Sequence, residues 1–500
     1  MIAPPASGAG RLPRAHVHPL AGWRSPESVL PLFAEDEMPV LLRSFAPGRV
    51  PPPHARWSIL SSSPFDRFVW SSDEHTDPFD ALAEWMAPYH CLAPRGLPFA
   101  GGAIGYVGYD AGRSVERIAP APARGRDPLG ALMPDVLFGL YAWAVLWDHV
   151  RREWCVLATG FPARGETRLR EARAQADRIA RRLEDARRET RASARIEKET
   201  PARLRASTLT RTAYIERVRR VRGMIAAGDL YQVNLSQRLR LASPGHPVAL
   251  FQALARHSPA PFSSYIGAGP FTIVSASPER FLRLRGRSAE SRPIKGTAPR
   301  GGTAEEDRRL SRSLLRSEKD RAENVMIVDL VRNDLGRVCR PGTVKTASLC
   351  RLETYPSVHH LVSIVRGELA AGRTRADLIR ALFPAGSMTG APKPRAMQAI
   401  EDLEPTRRGV YAGSIGYLSF CGSMDLSIVI RTAIVASGSV WLQVGGGVVA
   451  DSDPELEYSE SLHKALSVRR AIAAAARTRG GRPFPEDWGG RRRSRRLSGR

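Results

Sequence analysis

Apolar positions along this chain follow both the two-residue and the 3.6-residue period, and the two alternate without a regular strand-helix-strand order. Two apolar runs within residues 38–60 (MPVLLRSFAPGRVPPPHARWSIL) flank a Pro/Gly loop, and DPFDALAEWM predicts an amphipathic helix behind an Asp-Pro start signal. GGAIGYVGYD (101–110) reads as a strand or turn where backbones approach closely. MPDVLFGLYAWAVLWDH followed by EWCVLATG reads as the two strands of one hairpin. Arg164 to Thr200 is rich in Arg, Ala and Glu with few large apolar residues, which predicts a solvated connecting helix.

Beyond Ser207 the pattern sharpens. Ile215, Val218, Val221 and Ile225 predict one helix face, stopped by Gly228-Asp229 and followed by a strand. VALFQALARHS is a second helix; SSYIG, FTIVSAS and RFLRLRG are short strands. AEEDRRLSRSLLRSEKDRAENVMIVDLVRNDLGRV is the longest helical pattern of this region, and TRADLIRALFP is a helix ended by Pro384. SVHHLVSIVRGEL predicts a strand pair or a strand into a turn, and GSMTGAPKPRAMQAIEDLE a glycine-rich turn into a helix. YAGSIGYLSF, DLSIVIRTAIVA and VWLQVGGGVV are strands, before a helix through Leu466. The fold class expected is α+β with large antiparallel sheets flanked by helices. The expected divisions are an irregular N-terminus (1–25), a mainly β region (26–163), a charged helical connector (164–206), a larger domain (207–475) and a basic, disordered tail (476–500).

Composition narrows the setting. Five cysteines (Cys91, Cys155, Cys339, Cys350, Cys421) without CxxC spacing suggest neither a zinc site nor a disulfide framework, so a reducing cytoplasm is expected. No run of 18 apolar residues suggests a membrane span. The formal charge of +25 raises a nucleic-acid-binding alternative, but the arginines are spread evenly and only RRRSRRLSGR is dense. No basic patch is interleaved with aromatics of the kind that stacks bases.

Only six of the 75 basic residues are lysine. A chain so biased toward arginine draws attention to Lys295, in Pro-Ile-Lys-Gly-Thr, since a lysine can become a neutral amine when buried and an arginine cannot. A surface turn and an amine nucleophile are both open readings. Asp320 and Glu323 share a helix face, as do Glu457 and Glu460, with Lys464 one turn on and Asp453-Pro454 as cap and first residue. Two such pairs suit a hard divalent cation such as Mg²⁺, or are ordinary salt-bridged surfaces. The turns Gly386–Gly390 and Gly445–Gly447 admit an anion, or are only tight. Glu279 reads as an acid/base or an ion-pair partner, and mid-strand Arg431 as an edge charge or a grip on a carboxylate. His360 reads as a core histidine or a proton donor. Neither a nucleophile elbow nor a Walker loop nor HExxH is present.

SASPERF, PIKGT, EKDRAENVMIVDLVRNDLGRV, GSMTGAPK and GGGVVADSDPELEYSES, in that order, resemble the chorismate-utilising enzymes. These include the large subunits of anthranilate and aminodeoxychorismate synthases, with isochorismate and salicylate synthases more distant. The match runs from about Thr208 to Ile472, with VLLRS and GGAIGYVGYD a looser N-terminal counterpart. The resemblance implies a compact two-part α/β sandwich with its active site in the C-terminal part. PIKGT is similar to the aminodeoxychorismate branch, where anthranilate synthases resemble PIAGT, which makes anthranilate synthase component I the alternative.

That branch implies a transaminase-type amination of chorismate on the route to p-aminobenzoate and folate. Lys295 matches the covalent nucleophile, Glu279 the general acid/base and His360 a further catalytic position. Glu323 and Glu460 match Mg²⁺ ligands, with Asp320 and Glu457 nearby. Thr389, Tyr411, Arg431, Gly447 and Lys464 match substrate contacts. With no glutaminase sequence present, ammonia is expected from a separate glutamine amidotransferase subunit, and no fused lyase is expected past residue 475. The family's LLES is LLRS here, so Arg43 stands against a tryptophan-like effector pocket that would also use Ser44 and Pro261-Phe262.

Overall fold

The computed structural model describes residues 13–44, 53–74, 76–119, 127–186, 202–243 and 245–477. Within them the chain builds two antiparallel sheets packed face to face, with helices on both outer faces.

One sheet has twelve strands. It runs from His16–Leu20 through Glu153–Ala158, Trp143–Asp148, Trp57–Ser61, Val40–Arg43, Phe262–Gly267, Phe271–Ser277, Thr432–Ala436, Ser439–Val448 and Gln232–Ala242 to the short Gly390–Ala391, with Leu204–Ser207 also on Gln232–Ala242. The other sheet has ten. It runs from Ile294–Pro299 through Val358–Glu368, Ser288–Arg292, Arg280–Arg285, Met424–Ile428, Ser414–Ser419, Gly102–Val107 and Val136–Tyr141 to Asp66–Trp70, with Lys345–Thr354 also on Val358–Glu368.

The long apolar runs follow from this double cover. In Val136–Tyr141, Leu137 and Tyr141 point into the layer between the sheets, where they join Ile59, Leu146, Ile273 and Ile434. Val136, Phe138 and Leu140 point the other way, into the core beneath Phe79 and Leu82 of helix Pro78–Met86. A strand buried on both faces has no polar positions to mark its pleat.

Several expected elements divide or move. The run 133–149 is two strands in different sheets: Val136–Tyr141 ends at Ala142, and Trp143–Asp148 forms the hairpin with Glu153–Ala158. DLSIVIRTAIVA divides likewise into Met424–Ile428 and Thr432–Ala436, so Arg431 is not mid-strand but in the crossover, at φ +51°. The 304–338 pattern is two helices, Ala304–Arg316 and Glu318–Gly336, because Ser317 leaves helical geometry and its side chain caps Asp320 N. The helix through Leu466 is also two, Pro454–Lys464 and Leu466–Arg477. Val358–Glu368 is one strand, whose partner Lys345–Thr354 has no clear sequence pattern.

The expected irregular N-terminus contains the edge strand His16–Leu20. The connector is not merely solvated: Gly165–Asp185 buries Ala172, Ala176, Ala180 and Leu183 at four- and three-residue spacing against the twelve-stranded sheet. Residues 476 and 477 complete the last helix, and the rest of the basic tail lies outside the described residues. The regions 26–163 and 207–475 are interleaved in space: Val40–Arg43 pairs with Phe262–Gly267, and Gly102–Val107 with Ser414–Ser419.

Candidate active site

The two sheets meet around Lys295 at the end of the molecule where Ile294–Pro299 and Ser439–Val448 approach. A register shift between Ile294 and Thr297, with Gly296 at φ +87°, lifts Lys295 out of the ladder with Val358–Glu368. A Cβ on Gly447 would sit 3.4 Å from Lys295 Nζ and would collide with Gln232 Nε2. Lys295 is thus half-buried, its amine turned toward Gly447 rather than left on an open turn. Burial holds its amine below the usual lysine range, helped by the Lys464 charge and opposed by Glu323, Glu279 and Glu460.

Glu279 occupies the bend that carries the chain from Phe271–Ser277 in one sheet to Arg280–Arg285 in the other. It is buried, accepts Ser387 Oγ–H at 2.9 Å and Ile294 N–H at 3.3 Å. Burial raises its carboxyl to about 7 despite these bonds and the Lys295 and Arg431 charges. A carboxyl poised there can give and take a proton near neutrality. Arg431 joins the same field, its guanidinium held below the usual range by burial against the pull of Glu279. A half-buried guanidinium of this kind favours an anionic ligand.

His360 is buried, with Nδ1 2.8 Å from Thr297 Oγ1 and Nε2 without a hydrogen-bond partner. Burial and the nearby Arg431 lower it to about 3, so the ring is neutral at physiological pH. Thr389 is buried in the turn Gly386–Thr389, its hydroxyl reaching the Ala385 carbonyl at 3.3 Å. Tyr411 is buried beside the guanidinium of Arg408.

The carboxylates converge from two helices. On Glu318–Gly336, Glu323 is raised by burial and by Asp320 and Glu460, against Lys295 and Lys319; the Asp320 side chain lies within 3.0 Å of a Cβ on Gly296. On Pro454–Lys464, capped by Asp453 as its Asp-Pro pair predicts, buried Glu457 accepts Ser452 Oγ–H at 2.6 Å. Burial raises Glu457, with Glu460 adding to the shift. Glu460 is lowered: burial opposes this, but Lys464 overrides it through an ion pair at 2.8 Å. Lys464 Nζ also donates to the Gly445 carbonyl at 3.0 Å.

Among the described residues no three His, Cys, Asp or Glu side chains converge tightly enough to hold a metal alone. The donors are nevertheless hard oxygens, and Glu323 feels the repulsion of Asp320 and Glu460 that a divalent cation would relieve. These carboxylates are of the donor type a hard divalent cation takes, and they would need water and substrate oxygens to complete its coordination.

Some neighbours carry weak sequence signals or none. Gln232 begins its strand 1% exposed, with Nε2 unpaired and facing Gly447. Its signal is an amide at the start of a strand that is otherwise mostly buried. Asn324, fully buried, donates to the carbonyls of Leu361 and Lys295 at 3.1 and 3.4 Å, fixing the backbone under the amine. Arg43, Ser44, Pro261 and Phe262 line a separate cavity of about 70 Å³, where Arg43 is ion-paired with Glu27 at 2.8 Å.

The family profile described as chorismate binding enzyme matches residues 52–470. A Salmonella typhimurium protein named aminodeoxychorismate synthase component 1 is 41% identical over 429 residues, 82% of this chain and 88% of the relative. A Thermus thermophilus protein named anthranilate synthase component 1 is 43% identical over 403 residues, 80% of this chain and 84% of the relative. The crystal structure of anthranilate synthase component I from Streptococcus pneumoniae superposes with a TM-score of 0.71 at 32% identity, covering 83% of this chain and 92% of that one.

Proposed function

The chain belongs to the family of chorismate-binding enzymes, and from that premise we propose that it catalyses the component I reaction of aminodeoxychorismate synthase. The reaction takes chorismate and ammonia to 4-amino-4-deoxychorismate and water. The observation that carries it is a neutral-biased lysine amine, Lys295, in one electrostatic field with a carboxyl held at about 7, Glu279.

In the first step the Lys295 amine forms a bond to C2 of the ring, the double bonds shift, and the C4–O bond breaks. The departing oxygen takes the Glu279 proton and leaves as water. Ammonia then bonds to C4, the double bonds shift back, and the C2–N bond breaks to free Lys295. The new ammonium returns one proton to Glu279, which closes the cycle. Arg431 would grip a substrate carboxylate, with Thr389, Tyr411, Gly447 and Lys464 as further contacts. His360, a further catalytic position, would act as a neutral ring whose Nε2 is free to hydrogen-bond a ligand.

Mg²⁺ bound by Glu323 and Glu460, with Asp320 and Glu457 beside them, would hold the ring carboxylate and withdraw electron density from the ring. Ammonia would come from a separate glutamine amidotransferase subunit. The setting would be cytoplasmic, on the route to p-aminobenzoate and folate; among the described residues no helix is long and apolar enough to cross a membrane.

A second reading, anthranilate synthase component I, is favoured by the comparable identity of the Thermus thermophilus relative. Lysine in the Pro-Ile-Lys-Gly-Thr motif favours the first. Lys295→Ala, assayed with chorismate, Mg²⁺ and ammonium, is expected to lose aminodeoxychorismate formation; unchanged formation would refute the covalent step. Anthranilate released by the wild type without any lyase would establish the second reading.

A further inference from the structure

We propose that Arg408, fixed by Glu404, is a positioning residue for this reaction, setting the turn that presents Ser387 to Glu279 and Thr389 to the substrate. This rests on the reading above. Arg408 and Glu404 are 2% and 4% exposed and form an ion pair at 2.7 Å, between helix Lys393–Leu403 and strand Ser414–Ser419. A buried pair is a poor source of net stability, because desolvation offsets most of the attraction. This pair carries geometry instead.

The guanidinium donates to both Glu404 oxygens, to the Met388 carbonyl at 2.7 Å and to the Asn234 carbonyl. Glu404 Oε1 in turn accepts the Ser236 N–H and Oγ–H, each at 2.8 Å. One planar fork thus ties the turn Gly386–Thr389 to strand Gln232–Ala242, which carries Gln232. Its faces lie 4.7 Å from the Tyr109 ring centre and 5.7 Å from that of Tyr411.

Met388 stands between Ser387, which donates to Glu279, and Thr389. Because a trans peptide is planar, holding the Met388 carbonyl also fixes the Thr389 N–H, which points the opposite way. A lysine keeps the charge but not the fork. No apolar pair could hold the two carbonyls.

The test compares Arg408→Lys and Glu404→Gln with wild type by chorismate consumption with Mg²⁺ and ammonium, across pH, alongside urea unfolding. For Arg408→Lys, kcat/KM is expected to fall about 100-fold, as for a misplacement of about 1 Å. The descending pH limb set by Glu279 is expected to move upward, since the Ser387 hydrogen bond lowers that group. Glu404→Gln, which leaves oxygen acceptors for Ser236 and Arg408 and is the milder change for folding, is expected to shift the limb the same way with a smaller loss. If both limbs stay at the wild-type position and any loss of rate follows the unfolded fraction, the pair is merely structural and the proposal is overturned. Product identity is scored separately. Anthranilate from the wild type would overturn the functional reading while leaving the Arg408 comparison readable, because consumption of chorismate is what it measures.

Discussion

Glu279 and Lys295 are both driven toward their neutral forms chiefly by burial, one as an acid raised to about 7 and the other as a base lowered. The sign of each shift fixes the pH dependence. On the proposed mechanism amination needs Lys295 deprotonated and Glu279 protonated, so kcat/KM should rise with pH as the amine is freed and fall as pH passes about 7. Glu279→Gln should abolish the descending limb and cost about 10²–10⁴-fold in rate, read from steady-state profiles. The same residue links pH to stability. Its carboxyl takes up a proton more readily folded than unfolded, so its contribution is fully present below about 4.5 and lost as pH rises through about 7. That shift corresponds to ~3 kcal/mol. Urea midpoints at pH 5 and pH 8 should show the wild type losing more than Glu279→Gln. The lysine motif and the carboxylate pairs were legible in the sequence, because their spacing lies within single elements. The neutral state of His360 and the unpaired amide of Gln232 were not, because both depend on what other strands place around them.

At the scale of elements, three consecutive glycines in Ser439–Val448 meet three different neighbours. A Cβ at Gly445 would strike the Leu235 carbonyl and lie 2.8 Å from Ser236 Cα on the adjacent strand. One at Gly446 would stand 2.9 Å from Glu457 Oε2, and one at Gly447 would enter the space between Gln232 and Lys295. Gly445→Ala should therefore cost about 1–3 kcal/mol of stability in urea, since backbone cannot yield cheaply. If the proposed Mg²⁺ site is correct, Gly446→Ala should leave stability closer to wild type and weaken Mg²⁺ activation about 10–100-fold, seen as a raised half-saturating Mg²⁺ concentration. Strand and helix periods located most of these elements, and the Asp453-Pro454 cap fell where expected. The breaks at Ala142, Ser317 and Arg431 were not legible. Apolar sequence continues across the first and last, and helical pattern continues across Ser317, so local periodicity has no reason to stop there.

Across the whole molecule, neither half of the chain owns a sheet. Phe262–Gly267 would lose its partner Val40–Arg43, and Ser414–Ser419 its partner Gly102–Val107, if residues 202–477 were produced alone. Such a fragment should expose two apolar sheet edges and aggregate. Co-expression with residues 13–186 should restore solubility and chorismate turnover, and the intact chain should unfold in one calorimetric transition. Two separate transitions, or a soluble and well-dispersed NMR spectrum from the fragment alone, would show that the halves fold independently.

The sequence alone determined the family, since PIKGT, GSMTGAPK and the carboxylate-bearing segments are short-range motifs that chain order preserves. It also determined the antiparallel α+β character, through the turns that separate its apolar runs. The tertiary structure decided where each apolar run crosses from one sheet to the other, and so that Arg431 sits at a crossover rather than within a strand. It also decided that Lys295 is half-buried with its amine beside Gly447. The physical reason is the same in both cases. Burial, and the charge state it imposes, is a property of neighbours brought from distant parts of the chain, and no window along the sequence contains them.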